Sequence, residues 1–405
     1  MKTLYKKTPK KARKCGMILL VITMKAVGII CEYNPFHNGH LYHIEEVKKL
    51  FPNYTIIAIL SGNVTQRGEL SILSKWEKTE LALTFGVDLV VELPFVFASQ
   101  SADTFCFGAM KLLNYLQVDA IVFGSELGSI EPLIKGAKTQ LQENYQTLLK
   151  KHLKEGINYP TALSQALKEL TNIDIHNPND LLGLGYIKEI LKNSYTIKPV
   201  TILRTNNYHD KNITGNISSA TSIRHCLKEN RSIKNTVPEI VKKYLTHPIF
   251  LSDFFPFLKY KILSEENLDK YETVDERISH RLKEKVIHSN SLDEFLNVTK
   301  TKYYTYNRLM RMCSHILFSF TKEESQKLQS IFYLRILGFS KNGRNYLNKL
   351  KKNVEVPIIT NYSNDKENYL ELEIRITKIL SLLKGNQFLE EEIKRKPIIK
   401  RDITE

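Results

Sequence analysis

The 405-residue sequence predicts an α/β fold, a doubly wound parallel sheet followed by a mainly helical C-terminal region. Three observations carry that prediction. From Met24 onward, short apolar runs alternate with amphipathic helical patterns. The loops richest in Gly, Ser, Asn and His follow the ends of those runs, where open parallel sheets bind their ligands. After about Pro238 the apolar runs thin out and helical periodicity takes over.

Residues 26–31 (AVGIIC) form a continuous apolar run, as a strand buried on both faces requires. The turn Glu32-Tyr33-Asn34-Pro35-Phe36 follows, and His37-Asn38-Gly39-His40 opens a helix over 41–50 with apolar Leu41, Ile44, Val47 and Leu50 at helical spacing. A second strand over 54–60 ends in the loop Ser61-Gly62-Asn63-Val64-Thr65-Gln66-Arg67-Gly68-Glu69. A helix over 75–85, a strand over 89–93 stopped by Pro94, a helix over 101–116 and a strand over 120–123 come next, the last ending at Gly124-Ser125-Glu126. Residues 127–170 are mostly helical and read as an insertion. Asn177-Pro178-Asn179-Asp180 then turns into a helix running to Leu191, and 200–204 forms a strand followed by the polar loop 205–216. Ile217-Ser218-Ser219-Ala220-Thr221-Ser222-Ile223-Arg224 is a hydroxyl-rich helix start. The expected organisation is an extension over 1–23, a catalytic domain over 24–237 and a mainly helical basic region over 238–405.

Composition, 42% hydrophobic and 25% charged, is that of a globular protein, and a formal net charge of +16 favours a polyanionic partner. The abundant Lys, Ile and Asn also fit a lysine-rich proteome, which is the competing explanation. Cys15, Cys31, Cys106, Cys226 and Cys313 lie far apart with no C-x-x-C pair, so neither a zinc site nor a disulfide framework is indicated and a reducing cytoplasm fits. Basic residues before Met17-Ile18-Leu19-Leu20 imitate a signal peptide, but no small-residue cleavage site follows. The first 23 residues read as a nonessential extension with Met24 the functional start, and no other run reaches transmembrane length.

Two imidazoles and a glycine at a helix mouth suggest a phosphate site. The N-terminus supplies N–H groups and the positive dipole end, Gly39 permits close backbone approach, and His37 and His40 can donate to phosphoryl oxygens. The chemistry indicated is in-line attack on an α-phosphate, in which the protein positions groups and stabilises charge. Two histidines three apart also occur as surface residues or core donors; the placement between a strand and a helix favours the phosphate reading. Ser222 and Arg224 form a possible second phosphate site or belong to an ordinary capped helix. Between 299 and 352 the basic residues Lys300, Lys302, Arg308, Arg311, Lys327, Arg335, Lys341, Arg344, Lys349, Lys351 and Lys352 face only Glu323 and Glu324, with Tyr303, Tyr304 and Tyr306 among them. That interleaving suits a polynucleotide with unstacked bases, or a solvated helical face with core tyrosines.

Several of these segments together resemble one family. The stretch from Val27 to His40, Ser61-Gly62-Asn63 with Gln66-Arg67-Gly68, Phe123-Gly124-Ser125-Glu126, the stretch from Ile217 to Arg224, and Lys300-Thr301-Lys302-Tyr303-Tyr304-Thr305 are similar to the bacterial tRNA(Met) cytidine acetate ligases, where Arg is more usual at Tyr303. H-x-G-H alone belongs to a wider nucleotidyltransferase superfamily. The resemblance implies a Rossmann-like sheet of the nucleotidyltransferase type and a two-step reaction. Acetate attacks the α-phosphate of ATP to give acetyl-adenylate and pyrophosphate, and the wobble cytidine of elongator tRNA(Met) then takes the acetyl group and releases AMP. It also implies an ATP site of Ile30, Cys31, Glu32, Tyr33, Asn34, Pro35, Phe36, His37, Asn38, Gly39, His40, Leu41, Tyr42 and His43, with Gly124, Asn179 and Arg204. His37 and His40 are then the catalytic residues, and Mg²⁺ accompanies ATP with no fixed protein ligands. Lys300, Lys302, Arg308 and Arg311 are the candidate tRNA contacts. Two alternatives share the core: an acetate ligase or adenylyltransferase acting on a small molecule or a protein prosthetic group, and an RNA-binding relative that has lost activity.

Overall fold

The computed structural model describes residues 25–204 and 218–400. The extension with Cys15, Met24, the loop 205–216 and Ile217 lie outside the described residues.

Five strands lie parallel: Ala26–Cys31 (β1), Thr55–Ser61 (β2), Leu89–Leu93 (β3), Ala120–Ser125 (β4) and Lys198–Leu203 (β5), in the order β5-β4-β1-β2-β3. Strand order therefore reverses between β1 and β4, the switch point at which a doubly wound sheet opens a crevice beyond its carboxyl ends. The apolar runs are continuous because each strand feeds two layers. Ala26, Ile57, Ile59, Leu89 and Val91 pack on one face with Phe105, Ala109 and Leu113. Val27, Ile29, Ala58, Leu60 and Val90 pack on the other with Ile44, Val47 and Leu81. Helix Asn38–Leu50 (α1) connects β1 to β2, and Lys75–Thr84 (α2) connects β2 to β3. The expected insertion consists of three helices, Glu131–Gln140, Glu143–Lys154 and Tyr159–Thr171, ahead of helix Pro178–Lys192.

The segment after Pro238 is helical through Phe255–Ser264, Glu276–Ile287, Leu292–Thr299 and Tyr306–Leu317. It then returns to the sheet. Leu334–Phe339 (β6) pairs antiparallel with β3, and the two-residue strands Ile358–Ile359 (β7) and Ile398–Ile399 (β8) pair with β6. Arg335, counted from sequence in the basic face, is fully buried on β6. It sits 3.6 Å from Glu392, whose carboxylate also receives Lys75 at 2.8 Å, and Lys75 holds Glu92 at 2.9 and 3.0 Å. Three carboxylates, Glu92, Glu373 and Glu392, surround these two cations, and burial beside them pushes Glu373 up to about 8. Arg335 thus serves the seam between sheet and C-terminal segment and is removed from the polyanion surface. Among the described residues no helix is long and apolar enough to cross a membrane.

A second seam joins helix Tyr306–Leu317 to the loop after β2. Gly68 adopts φ +81°, and a Cβ there would lie 2.7 Å from the Arg311 backbone, while Ser314 Oγ donates to the Gly68 carbonyl. Both the left-handed backbone and the close approach demand glycine. Gly68→Ala is expected to lower unfolding free energy by about 2–4 kcal/mol, measured by urea titration; wild-type stability would show that the helix does not pack against this loop.

Candidate active site

The first turn of α1 is capped by its own histidines. His37 is the N-cap, and its Nδ1 accepts the Gly39 N–H at 3.0 Å. The His37 N–H in turn donates to His40 Nδ1 at 3.2 Å, and the two rings stack with centroids 3.8 Å apart. The N–H groups of His40 and Leu41 donate to the His37 carbonyl, and that of Asn38 to the Thr236 carbonyl at 3.0 Å. The helix N-terminus therefore offers no open backbone donors in its first turn, unlike the arrangement anticipated from sequence. The available donors have moved to the imidazoles. A neutral ring whose Nδ1 accepts a backbone N–H carries its proton on Nε2, so the hydrogen bonding assigns His37 and His40 as Nε2–H donors.

The neutral form is enforced electrostatically. Burial, then the charges of Arg204 and Arg224, pull His37 down to about 3. Burial, His37 and Arg204 hold His40 well below the usual imidazole range, and burial with Arg204 pulls His43 down to about 4. Cys31, at the end of β1, is no nucleophile in this setting: burial pushes its thiol up to about 12, and Sγ lies 3.7 Å from the Ile59 carbonyl.

These groups line a cavity of about 750 Å³ beyond the carboxyl ends of β1 and β4. Gly124 on β4 leaves room for Arg204: a Cβ at Gly124 would sit 3.0 Å from Arg204 Cγ. Arg204 Nε, 3.8 Å from Glu126, has no hydrogen-bond partner. The turn after β4 is fastened to helix Pro178–Lys192. Asp180 accepts Ser125 Oγ at 2.5 Å and the Glu126 N–H at 3.1 Å, and Glu126 accepts the Asn179 side-chain amide at 2.5 Å. On the β2 side, Glu32 accepts the Gln66 N–H at 2.6 Å, and burial raises its carboxyl. The buried Lys78 ammonium donates to the carbonyls of Glu32, Ser61 and Gly62 at 3.0, 2.7 and 2.7 Å, binding the ends of β1 and β2 together.

Of the segment expected to hold ATP, Ile30, Cys31, Glu32, Tyr33, Asn34, His37, Gly39, His40, Tyr42 and His43 line the cavity, as do Gly124, Asn179 and Arg204. Pro35, Phe36, Asn38 and Leu41 do not line it. Phe36 instead packs in the core against Tyr33 and Phe85. Arg224 lines the cavity and is held by the Asn34 carbonyl at 2.8 Å and Glu69 at 2.5 Å. Ser222 is fully buried, 2.8 Å from the Ser219 hydroxyl that caps its helix, and lies off the cavity. Arg308 and Arg311 line the cavity, whereas Lys300 and Lys302 do not. Lys78 and Tyr159 belong to none of the sequence motifs, and Thr305 closes the Lys300–Thr305 motif without a role of its own. The only signal for Lys78 was a lysine among Trp76, Leu81 and Ala82 on a helix with an apolar face. Tyr159 and Thr305 reach the cavity through tertiary contact alone.

The described chain matches known proteins along most of its length. The family described as HIGH Nucleotidyl Transferase matches residues 24–396. A tRNA(Met) cytidine acetate ligase of Geobacillus sp. (strain WCH70) is 46% identical over 362 residues, 85% of this chain and 90% of that protein. Thermotoga maritima TmcAL in an apo crystal form superposes with a TM-score of 0.86 at 32% identity, covering 94% of this chain and all of that one. The same protein bound with alpha-thio ATP superposes with a TM-score of 0.84.

Histidines held neutral when folded protonate more easily once unfolded, so the folded state binds fewer protons between their folded values and about 6.5. The histidine contribution to stability is therefore expected to be level above about pH 6.5 and to fall below it, by on the order of 1 kcal/mol per pH unit for each histidine titrating, levelling off below about 4 for His43 and about 3 for His37. Urea unfolding across pH 8 to 4 measures this; a His43→Gln variant should lose part of the slope, and an unchanged slope would contradict a neutral His43.

Proposed function

The chain belongs to the HIGH nucleotidyl transferase family and, within it, to the tRNA(Met) cytidine acetate ligases, and on that premise we propose that it forms N4-acetylcytidine at the wobble position of elongator tRNA(Met) from acetate and ATP. The observation supporting this most strongly is the pair of neutral Nε2–H donors, His37 and His40, stacked beside the fixed cation Arg204 at the switch point. Neutral donors suit a centre where negative charge grows and then disperses, because they need no proton change of their own.

In the first step an acetate oxygen bonds to the α-phosphorus of ATP and the bond to the β-phosphate oxygen breaks, releasing pyrophosphate. His37 and His40 donate to the α- and β-phosphoryl oxygens, and Arg204 balances their charge. Gly124 keeps the floor of the site low, and Asn179, its amide nitrogen engaged by Glu126, presents its oxygen to the nucleoside. In the second step the cytidine amine bonds to the acetyl carbonyl carbon, AMP leaves with the bridging oxygen, and the amine proton goes to solvent. Among the described residues no three His, Cys, Asp or Glu side chains are grouped to hold a metal. Mg²⁺ carried on the ATP phosphates would supply charge neutralisation there. The region from 238 onward, with Arg308 and Arg311 on the cavity and Lys300 and Lys302 outside it, holds the tRNA.

Combining the protein with ATP, Mg²⁺, acetate and tRNA(Met), then digesting the tRNA for nucleoside mass spectrometry, should give N4-acetylcytidine only when all are present. Acetate-dependent pyrophosphate exchange should fall about 10²- to 10³-fold in His40→Ala. Adenylation of another small metabolite with no acetylated tRNA would sink the proposal.

A further inference from the structure

The cavity has another charged wall, which activation of acetate does not use. Arg67, from the loop after β2, and Arg308 and Arg311, from helix Tyr306–Leu317, all line it. Among the described residues Arg311 forms no ion pair, and its Nε is buried without a hydrogen-bond partner. Burial and the charges of Arg308 and Arg67 pull this guanidinium down to about 10, the direction for a cation lacking a counter-anion.

Beside it stands an aromatic platform. Tyr303 lines the cavity and is 47% exposed. The Arg308 guanidinium lies 4.8 Å from the ring centroids of both Tyr303 and Tyr304. Tyr304 is buried edge-on against Tyr303 at 5.0 Å, its hydroxyl held by Asp275 at 2.7 and 2.9 Å. Asp275 also lies 3.5 Å from Arg308. One face of Tyr303 is thus covered by a braced guanidinium, and its exposure leaves the other to a ligand. A rigid open ring next to an uncompensated guanidinium supplies the two contacts by which proteins hold single-stranded nucleic acid, base stacking and phosphate pairing.

We propose that this wall is the acceptor-nucleotide subsite, where Arg311 with Arg67 holds a phosphodiester of a single-stranded RNA loop and Tyr303 stacks the unpaired pyrimidine whose exocyclic amine takes the acetyl group. This rests on the tRNA-acetylating reading given above. Because the histidine pair and Tyr303 share one cavity, the base meets the acetyl-adenylate where it is made, and the anhydride need not cross bulk water.

The test uses full-length wild type, Tyr303→Phe, Tyr303→Ala, Arg311→Gln and Arg67→Gln. Each is assayed for acetylcytidine formation against tRNA(Met) concentration, for acetate-dependent pyrophosphate exchange, and for tRNA affinity across a salt series. Tyr303→Ala should raise the KM for tRNA about tenfold or more, with Tyr303→Phe restoring most of it and the salt slope staying at the wild-type value. Arg311→Gln should weaken binding and reduce the slope of log affinity against log salt by about 0.7–0.9, and Arg67→Gln should do the same if Arg311→Gln fails to fold. The subsite is overturned if transfer kinetics do not change, if Tyr303→Phe is as impaired as Tyr303→Ala, or if exchange falls by the same factor as transfer. Should wild type activate acetate and acetylate no tRNA, the reading of the reaction fails. The subsite is then judged by the salt series on a single-stranded oligoribonucleotide, where an unchanged Arg311→Gln slope overturns it.

Discussion

The reciprocal bonding of His37 and His40 to the first turn of α1 is the constraint on which the rest of the site depends. Each ring gives its Nδ1 lone pair to a backbone N–H, which fixes its tautomer, its orientation and its stacking on the other. The same bonds consume donors that a helix N-terminus would otherwise direct at an anion. On the proposed reading, recognition of phosphate thereby passes from a diffuse dipole to two Nε2–H groups on stacked side chains. Burial and Arg204 keep both rings uncharged, so the positive charge of the cavity resides in guanidinium groups. Polarising donors and charge-balancing groups are separate residues.

That arrangement needs a frame that holds strand ends to within a fraction of an ångström. Lys78 supplies one clamp, three carbonyls at the mouths of β1 and β2 converging on one buried ammonium. Asp180 supplies another, taking the turn after β4 onto a helix that begins at Pro178. The loop after β2 is shared between the two functional halves. Gln66 binds Glu32 on the nucleotide side, while Gly68 packs against the Arg311 backbone on the side of the C-terminal helices. A displacement of that loop would disturb both walls of the cavity together.

Much of this was legible in the sequence because the signals were local. The strand over 26–31, the capped helices and the turn chemistry at Gly124-Ser125-Glu126 all follow from runs of residues adjacent in the chain. Most of the residues that the resemblance implies for ATP line one cavity, though Pro35, Phe36, Asn38 and Leu41 do not. What the sequence concealed is tertiary. β6 carries Arg335 within an apolar run, so it reads as part of a basic segment until Glu392, far along the chain, is seen to face it. Lys300 and Arg311 share one basic stretch, yet helix geometry sends only the latter to the cavity. Ser222 looks like a phosphate contact until packing shows its hydroxyl turned toward Ser219 and off the cavity. The tautomers of His37 and His40 could not be read from spacing, because they are set by backbone groups whose positions exist only in the folded turn.

On the proposed reaction, the stacked histidines serve attack by a carboxylate oxygen on the α-phosphorus of ATP. Acetate labelled with ¹⁸O at both oxygens tests it directly in a complete reaction with tRNA. One labelled oxygen should appear in the AMP phosphate, one in the acetyl group on cytidine, and none in pyrophosphate. Unlabelled AMP, or label in pyrophosphate or inorganic phosphate, would contradict it.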